Sequence, residues 1–212
     1  MNKIKCILCS LLLCVTTFAQ VSYQPASEAR KKEIIDKITQ ASGAMKTMLC
    51  DFTQEKELSF MNEKITSEGK MFYKQADKIR WEYTKPIAYV FAMDGKNIFL
   101  DVGSNQNRIP ARSSALFSGI SDIIIGGISG VGLIDSPDFT TQFGVGADKY
   151  LVTLTPLKKE IQNLFSKIQL YVNQTDGRIN EVELIGKDGD KTLILLKNMQ
   201  TNVTINDEIF SR

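Results

Sequence analysis

Few side chains in this chain could do chemistry. It holds no histidine, which removes the commonest general base, the Ser-His-Asp and Cys-His arrangements and most zinc sites. Carboxylate pairs cleave glycosides, and the candidates are Asp77, Glu82, Asp94 and Asp101. They fall on turns or on the wet side of a strand, and nothing pairs them. Cys50 has no partner cysteine in a CxxC spacing and sits next to Leu49 and near Phe52. It reads as a buried structural thiol rather than a nucleophile. The order of Gly127, Gly130 and Gly132 matches no dinucleotide or P-loop fingerprint. The residues argue for no enzyme, no metal and no cofactor, although a hydrolase stays open as an alternative.

What the chain offers instead is an oily strand. Lys78, Arg80 and Glu82 alternate with Ile79, Trp81 and Tyr83, and a period of two gives one polar and one apolar face. The apolar face carries the single tryptophan of the protein. Thr84-Lys85-Pro86 breaks the run, a second apolar strand covers Ile87 to Met93, and Asp94-Gly95 turns the chain into Asn97-Ile98-Phe99-Leu100.

The elements around this pair follow from periodicity. Residues 1–19 read as a secretory signal peptide: Lys3 and Lys5, an apolar run from Cys6 to Val15, then Thr17-Phe18-Ala19. Leu13 stands where a small residue would precede a lipidated Cys14. Removing these 19 residues from 212 leaves 193, enough for a core without a disulfide. Cys6, Cys9 and Cys14 leave with the signal, and only Cys50 remains. Lysine plus arginine falls from 26 to 24, against 24 acidic residues, so the net charge falls from +2 to zero. No basic face for nucleic acid is indicated.

Residues 20–212 read as one domain. Ser27 to Leu49 is expected to be a helix, N-capped by Ser27, with Ile34, Ile38, Ala41, Met45 and Met48 on one face. Strands follow from Phe52 onward, over Ile65–Lys74 with a bulge or close approach at Gly69, and over Tyr150–Thr155, Ile168–Val172, Ile179–Ile185 and Thr192–Leu196. Asp94-Gly95, Asp176-Gly177 and Asp188-Gly189 join neighbours as tight hairpins, which predicts an antiparallel meander and an α+β fold that is mainly β. Residues 103–147 are rich in glycine, and Leu116, Phe117, Ile120 and Ile124 follow helical spacing. This stretch reads either as a helical lid or as a buried insertion.

The order of these pieces resembles the outer-membrane lipoprotein carrier family, LolA. The resemblance is carried by Phe52-Thr53-Gln54, Gly69, Phe72-Tyr73-Lys74, Arg80-Trp81-Glu82-Tyr83 with Pro86, Asp94-Gly95-Lys96, Leu154-Thr155-Pro156, Asp176-Gly177 and Ile205 to Phe210. It implies an incomplete, strongly curved antiparallel β-barrel covered by an N-terminal helix and a central helical lid. It implies a periplasmic, non-enzymatic carrier of acylated lipoproteins, loaded by an inner-membrane ABC transporter and emptied by an outer-membrane acceptor. The acyl chains would lie against Ile79, Trp81, Tyr83 and Phe91, against Phe99 or, on the other face of its strand, Ile98, and against Leu116, Phe117, Ile120 and Ile124. Where the family has an Arg-Pro pair that holds the lid, this chain has Gln75-Ala76. Gln75 therefore stands at the gating position without charge-assisted hydrogen bonds. A lipid- or lipoprotein-sensing module on the same scaffold is the alternative.

Overall fold

The computed structural model describes residues 22–211, apart from 62, 76, 103–104, 111–125, 127–133 and 135, and only the backbone of 105, 106, 109 and 110. The leader at 1–19 and the residues Leu116, Phe117, Ile120 and Ile124 lie outside the described residues.

Chain order is β1 (Gln24–Pro25), α1 (Glu28–Gly43), β2 (Thr47–Glu57), β3 (Lys64–Lys74), β4 (Lys78–Lys85), β5 (Tyr89–Asp94), β6 (Asn97–Val102), β7 (Asn105–Pro110), β8 (Phe139–Val145), β9 (Lys149–Pro156), α2 (Lys159–Gln162), β10 (Phe165–Asn173), β11 (Ile179–Gly186), β12 (Lys191–Thr201) and a short 3-10 helix (Asp207–Ser211). The strands form one sheet in the order β1-β8-β9-β10-β11-β12-β2-β3-β4-β5-β6-β7. Every neighbouring pair is antiparallel. Two meanders, β2 to β7 and β8 to β12, meet where β12 pairs with β2. The sheet is strongly curved and unclosed, with β1 and β7 as its edges.

The hairpin turns are set locally. Gly95, Gly177 and Gly189 have φ of 85°, 71° and 91°, a region closed to most side chains. These are the three Asp-Gly positions read from the sequence. Residues 105–110 and 139–145, expected inside a helical insertion, are strands β7 and β8.

The first helix is shorter than expected. Ser27 does cap it, its hydroxyl accepting from the Arg30 N–H at 3.4 Å. It ends at Gly43, however, not near Leu49. The Ser42 hydroxyl donates back to the Ile38 carbonyl at 2.8 Å, and the chain then turns into β2. Met48 is buried as a strand residue, because its spacing suits either period. Asn202 holds this turn: its Oδ1 accepts from the Lys46 N–H at 2.9 Å and its Nδ2 donates to the Ala44 carbonyl at 3.0 Å. Ile34 and Ile38 are buried in the main core, each worth roughly 1.5–3 kcal/mol of apolar transfer.

The C-terminal 3-10 helix packs on β4 and β5, on the convex face. Phe210 is buried there, outside the main core. Arg80 Nη1 donates to the Ile209 carbonyl at 2.9 Å, and Lys74 and Lys78 both donate to the Asp207 carboxylate. Those two hydrogen bonds bring the Asp207 carboxyl from its ordinary 3.8 down to about 2, against a smaller opposing effect of desolvation. A lowered carboxyl stabilises the folded form above its unfolded value and stops doing so as pH falls through the folded one. The clasp is therefore expected to hold at pH 4 and to open near pH 2. Amide exchange at Phe210 checks this, and Asp207→Asn is expected to erase the acid step.

Candidate functional site: the apolar concave face

Residues directly opposite in adjacent antiparallel strands share a face, so the register defines the surface. One row runs Cys50, Met71, Trp81, Phe91, Leu100 across β2 to β6. A second runs Phe52, Gly69, Tyr83, Tyr89 across β2 to β5, and a third runs Tyr73, Ile79, Met93, Ile98 across β3 to β6. Ile79, Trp81, Tyr83 and Phe91 thus come together on the concave side, as the alternation predicts. Phe99 does not. It pairs with Ala92, which pairs with Arg80, so Phe99 stands on the convex face. Ile98 and Leu100 take the place expected of it. Its period is legible in the sequence, but its phase depends on where the Asp94-Gly95 turn begins.

Gly69 organises the aromatics. A Cβ there would lie 1.8 Å from the Glu82 carbonyl oxygen and 2.8 Å from Cε1 of Phe52. The Phe52 ring occupies that space and meets Trp81 edge-on at 5.1 Å and Tyr83 edge-on at 4.9 Å. Tyr83 stacks on Tyr89 at 4.1 Å and 12°. Its hydroxyl donates to Gln54 Oε1 at 2.9 Å, and burial pushes its phenol well above the ordinary range. Glycine faced by an aromatic across the pair is a known way to fix register. The register shift between Glu68 and Gly69 lies at this point.

The apolar face continues across the other half of the sheet. Phe143, Val152, Leu170, Val182 and Ile194 face each other in turn from β8 to β12. The sequence marks no site residue on these strands. Their alternation is visible, but nothing local says that they and Trp81 belong to one surface. Helix α1 is tied to this half by Tyr150, whose hydroxyl donates to Glu33 at 3.1 Å, and by Lys37, which donates to the Gln174 carbonyl at 2.9 Å.

The carboxylates lie elsewhere. Glu82 accepts from Arg80 Nη2 at 2.7 Å on the convex face. Asp94 accepts from the backbone N–H groups of Lys96 and Asn97 in its turn. Burial opposes ionisation of Asp94, but those bonds hold its carboxyl below the usual range. No group of three or more His, Cys, Asp or Glu among the described residues is placed to hold a metal ion. Gln75 is exposed at the end of β3, and its backbone N–H donates to the Lys46 carbonyl at 2.8 Å. Two buried polar atoms have no partner among the described residues, Trp81 Nε1 and Asn180 Oδ1.

Cys50 is buried in the first row, and burial pushes its thiol up to about 12. A thiol reagent needs the thiolate. Protein lacking residues 1–19 is expected to leave Ellman's reagent unreacted at pH 8 and to titrate one thiol per chain after denaturation.

An unclosed, strongly curved antiparallel sheet with apolar and aromatic side chains gathered on its concave side places the chain among the open half-barrels. The chain belongs to the outer membrane lipoprotein carrier protein LolA family, whose family model matches residues 43–212. It is 26% identical to an outer-membrane lipoprotein carrier protein of Methylococcus capsulatus over 94% of this chain and 88% of that protein. It is 25% identical to one of Chromobacterium violaceum over 89% of this chain and 87% of that protein. A crystal structure of an uncharacterized conserved protein from Thermus thermophilus superposes with a TM-score of 0.53 at 11% identity, covering 86% of this chain and 93% of that one. That likeness is one of fold.

Proposed function

We propose that this protein is a periplasmic carrier that binds the acyl chains of lipoproteins on its concave face and ferries them from the inner membrane to the outer membrane. In this reading Ile79, Trp81, Tyr83 and Phe91 form the acyl-chain wall, the stretch between β7 and β8 contributes the cover and Gln75 stands at the gate. An inner-membrane ABC transporter loads the carrier and an outer-membrane acceptor empties it. The observation that carries the proposal is that, among the described residues, the Trp81 indole N–H has no acceptor on a face lined mainly by apolar and aromatic side chains. A buried donor without an acceptor costs about 1–3 kcal/mol. An ester carbonyl at the head of an acyl chain would satisfy it while the chain covers the neighbouring rows. Each CH₂ taken from water contributes about 0.8 kcal/mol, so free acyl chains do not cross an aqueous space unescorted. The family and both relatives named above support the carrier role. Among the described residues no helix is long and apolar enough to cross a membrane.

Trp81 is the only tryptophan, so its emission reports on the site directly. Titration with a triacylated lipopeptide is expected to shift that emission saturably, with acylated peptides copurifying from periplasm by mass spectrometry. The absence of both signals would overturn the proposal. The unacylated peptide serves as the blank.

A further inference from the structure

The six large hydrophobic residues exposed among the described residues are Phe60, Met61, Ile65, Ile87, Val102 and Leu157. Single exposed hydrophobics on a surface are ordinary, but these are not scattered. Phe60 and Met61 are the tip between β2 and β3, and Ile65 opens β3. Ile87 lies between β4 and β5, Val102 ends β6, and Leu157 follows β9. The pairings Leu154 with Ile168, Phe165 with Gly186, Lys191 with Glu57 and Glu68 with Lys85 put all of these turns at one end of the sheet. The opposite end carries the Asp94-Gly95 and Asp176-Gly177 turns, Gln75 and Asp148, and none of the six.

We infer that this end of the sheet is a lipid-contacting rim, which rests on the surface of a phospholipid bilayer. From the β9 end to β6 there are eight strand spacings, about 38 Å of arc. A protein partner of ordinary kind would be met by a contiguous, central cluster of anchors. Here Phe60, Met61 and Ile65 share the β2–β3 hairpin while the other three stand on separate turns, and lysines flank three of these places: Lys64 beside Ile65, Lys85 two residues before Ile87, Lys158 and Lys159 after Leu157. Apolar tips with adjacent long cationic side chains suit the boundary between acyl chains and anionic headgroups. Three acidic groups at this rim are paired with lysines, Glu57 2.6 Å from Lys64, Glu68 2.9 Å from Lys85, and Asp138 3.8 Å from Lys158, and Glu63, Glu160 and Asp188 lie at the same end.

The most exposed tip is also held in place. The Ser59 N–H donates to Asp190 Oδ1 at 2.8 Å, and the Met61 N–H to the Leu58 carbonyl at 3.0 Å. Phe60 is 78% exposed and Ile87 67% exposed.

Flotation with vesicles of phosphatidylethanolamine and phosphatidylglycerol tests the inference on the mature chain. The triple variant Phe60→Ser, Ile87→Ser, Leu157→Ser is expected to lower the vesicle-bound fraction about tenfold. Its melting temperature should not change, because all three side chains are exposed. The variant Lys96→Ser, Asp148→Ser at the other end is expected to bind like the native chain. A tryptophan in place of Phe60 is expected to be quenched by brominated lipid. Binding is expected to weaken as salt rises from about 0.1 M to about 0.5 M, as the Debye length shrinks. No flotation of the native protein, equal flotation of the triple variant, or a rim that crosslinks only to a protein would each overturn the inference. It goes beyond the carrier reading, and the two fail separately: Trp81 emission reads the concave face, and flotation reads the rim.

Discussion

Replacing Gly69 by alanine is expected to cost this protein about 3 kcal/mol or more of stability, a lowering of the melting temperature by roughly 6–12 °C for a chain of this size. The added methyl would meet the Glu82 carbonyl oxygen at 1.8 Å and the Phe52 ring at 2.8 Å. The nearer atom is backbone in the paired strand, so relief requires moving β4 and not only a side chain. Displacing Phe52 then removes its edge contacts with Trp81 and Tyr83, which disturbs the binding face along with the fold. Phe52→Leu in the same chain relieves only the ring contact and should not restore stability. Thermal unfolding followed by circular dichroism decides the matter. A shift below about 2 °C would mean the close approach at Gly69 is relieved by easy backbone motion.

Trp81→Glu is expected to abolish lipopeptide binding at pH 7. Trp81 is 4% exposed and packs between Met71 and Phe91 across the sheet. Its row across β2 to β6 holds no cation to pair with a carboxylate. A buried unpaired charge is strongly disfavoured, so the new group either stays protonated or draws water onto the face, and acyl chains lose their dry wall. A stability loss of several kcal/mol is also expected. Trp81→Phe separates the two effects. It keeps the apolar wall and deletes the indole N–H, which has no acceptor among the described residues, so the unliganded fold should be unharmed, while affinity for the acylated ligand should fall about tenfold, one lost hydrogen bond. Equal affinity of Trp81→Phe and native protein would remove the indole from the binding account.

Much of this is legible in the residues. The alternation at Lys78–Tyr83 places Ile79, Trp81 and Tyr83 on one face because a strand has only two faces. The Asp-Gly pairs announce three hairpins because their glycines take positive φ. Gly69 announces a close approach. The expectations that fail do so for physical reasons. Met48 follows Met45 by three residues and precedes Cys50 by two, so it fits a helix and a strand equally, and periodicity alone predicts too long an α1. Phe99 lies next to a turn, and one residue of phase moves a side chain to the other face. β7 and β8 look like part of an insertion, since their polar and glycine content hides strands that are defined by partners far away in sequence.

Local patterning alone decided that this chain is an antiparallel β protein with an oily strand pair, because periodicity and turn chemistry act over a few residues. Tertiary structure decided three things that no local pattern holds. It joined two meanders through β12 and β2 into one face. It put Phe210 in a separate pocket on the convex side. It gathered hydrophobic residues from four separate places in the chain onto one rim, since only the register of the strands determines which turns share an end.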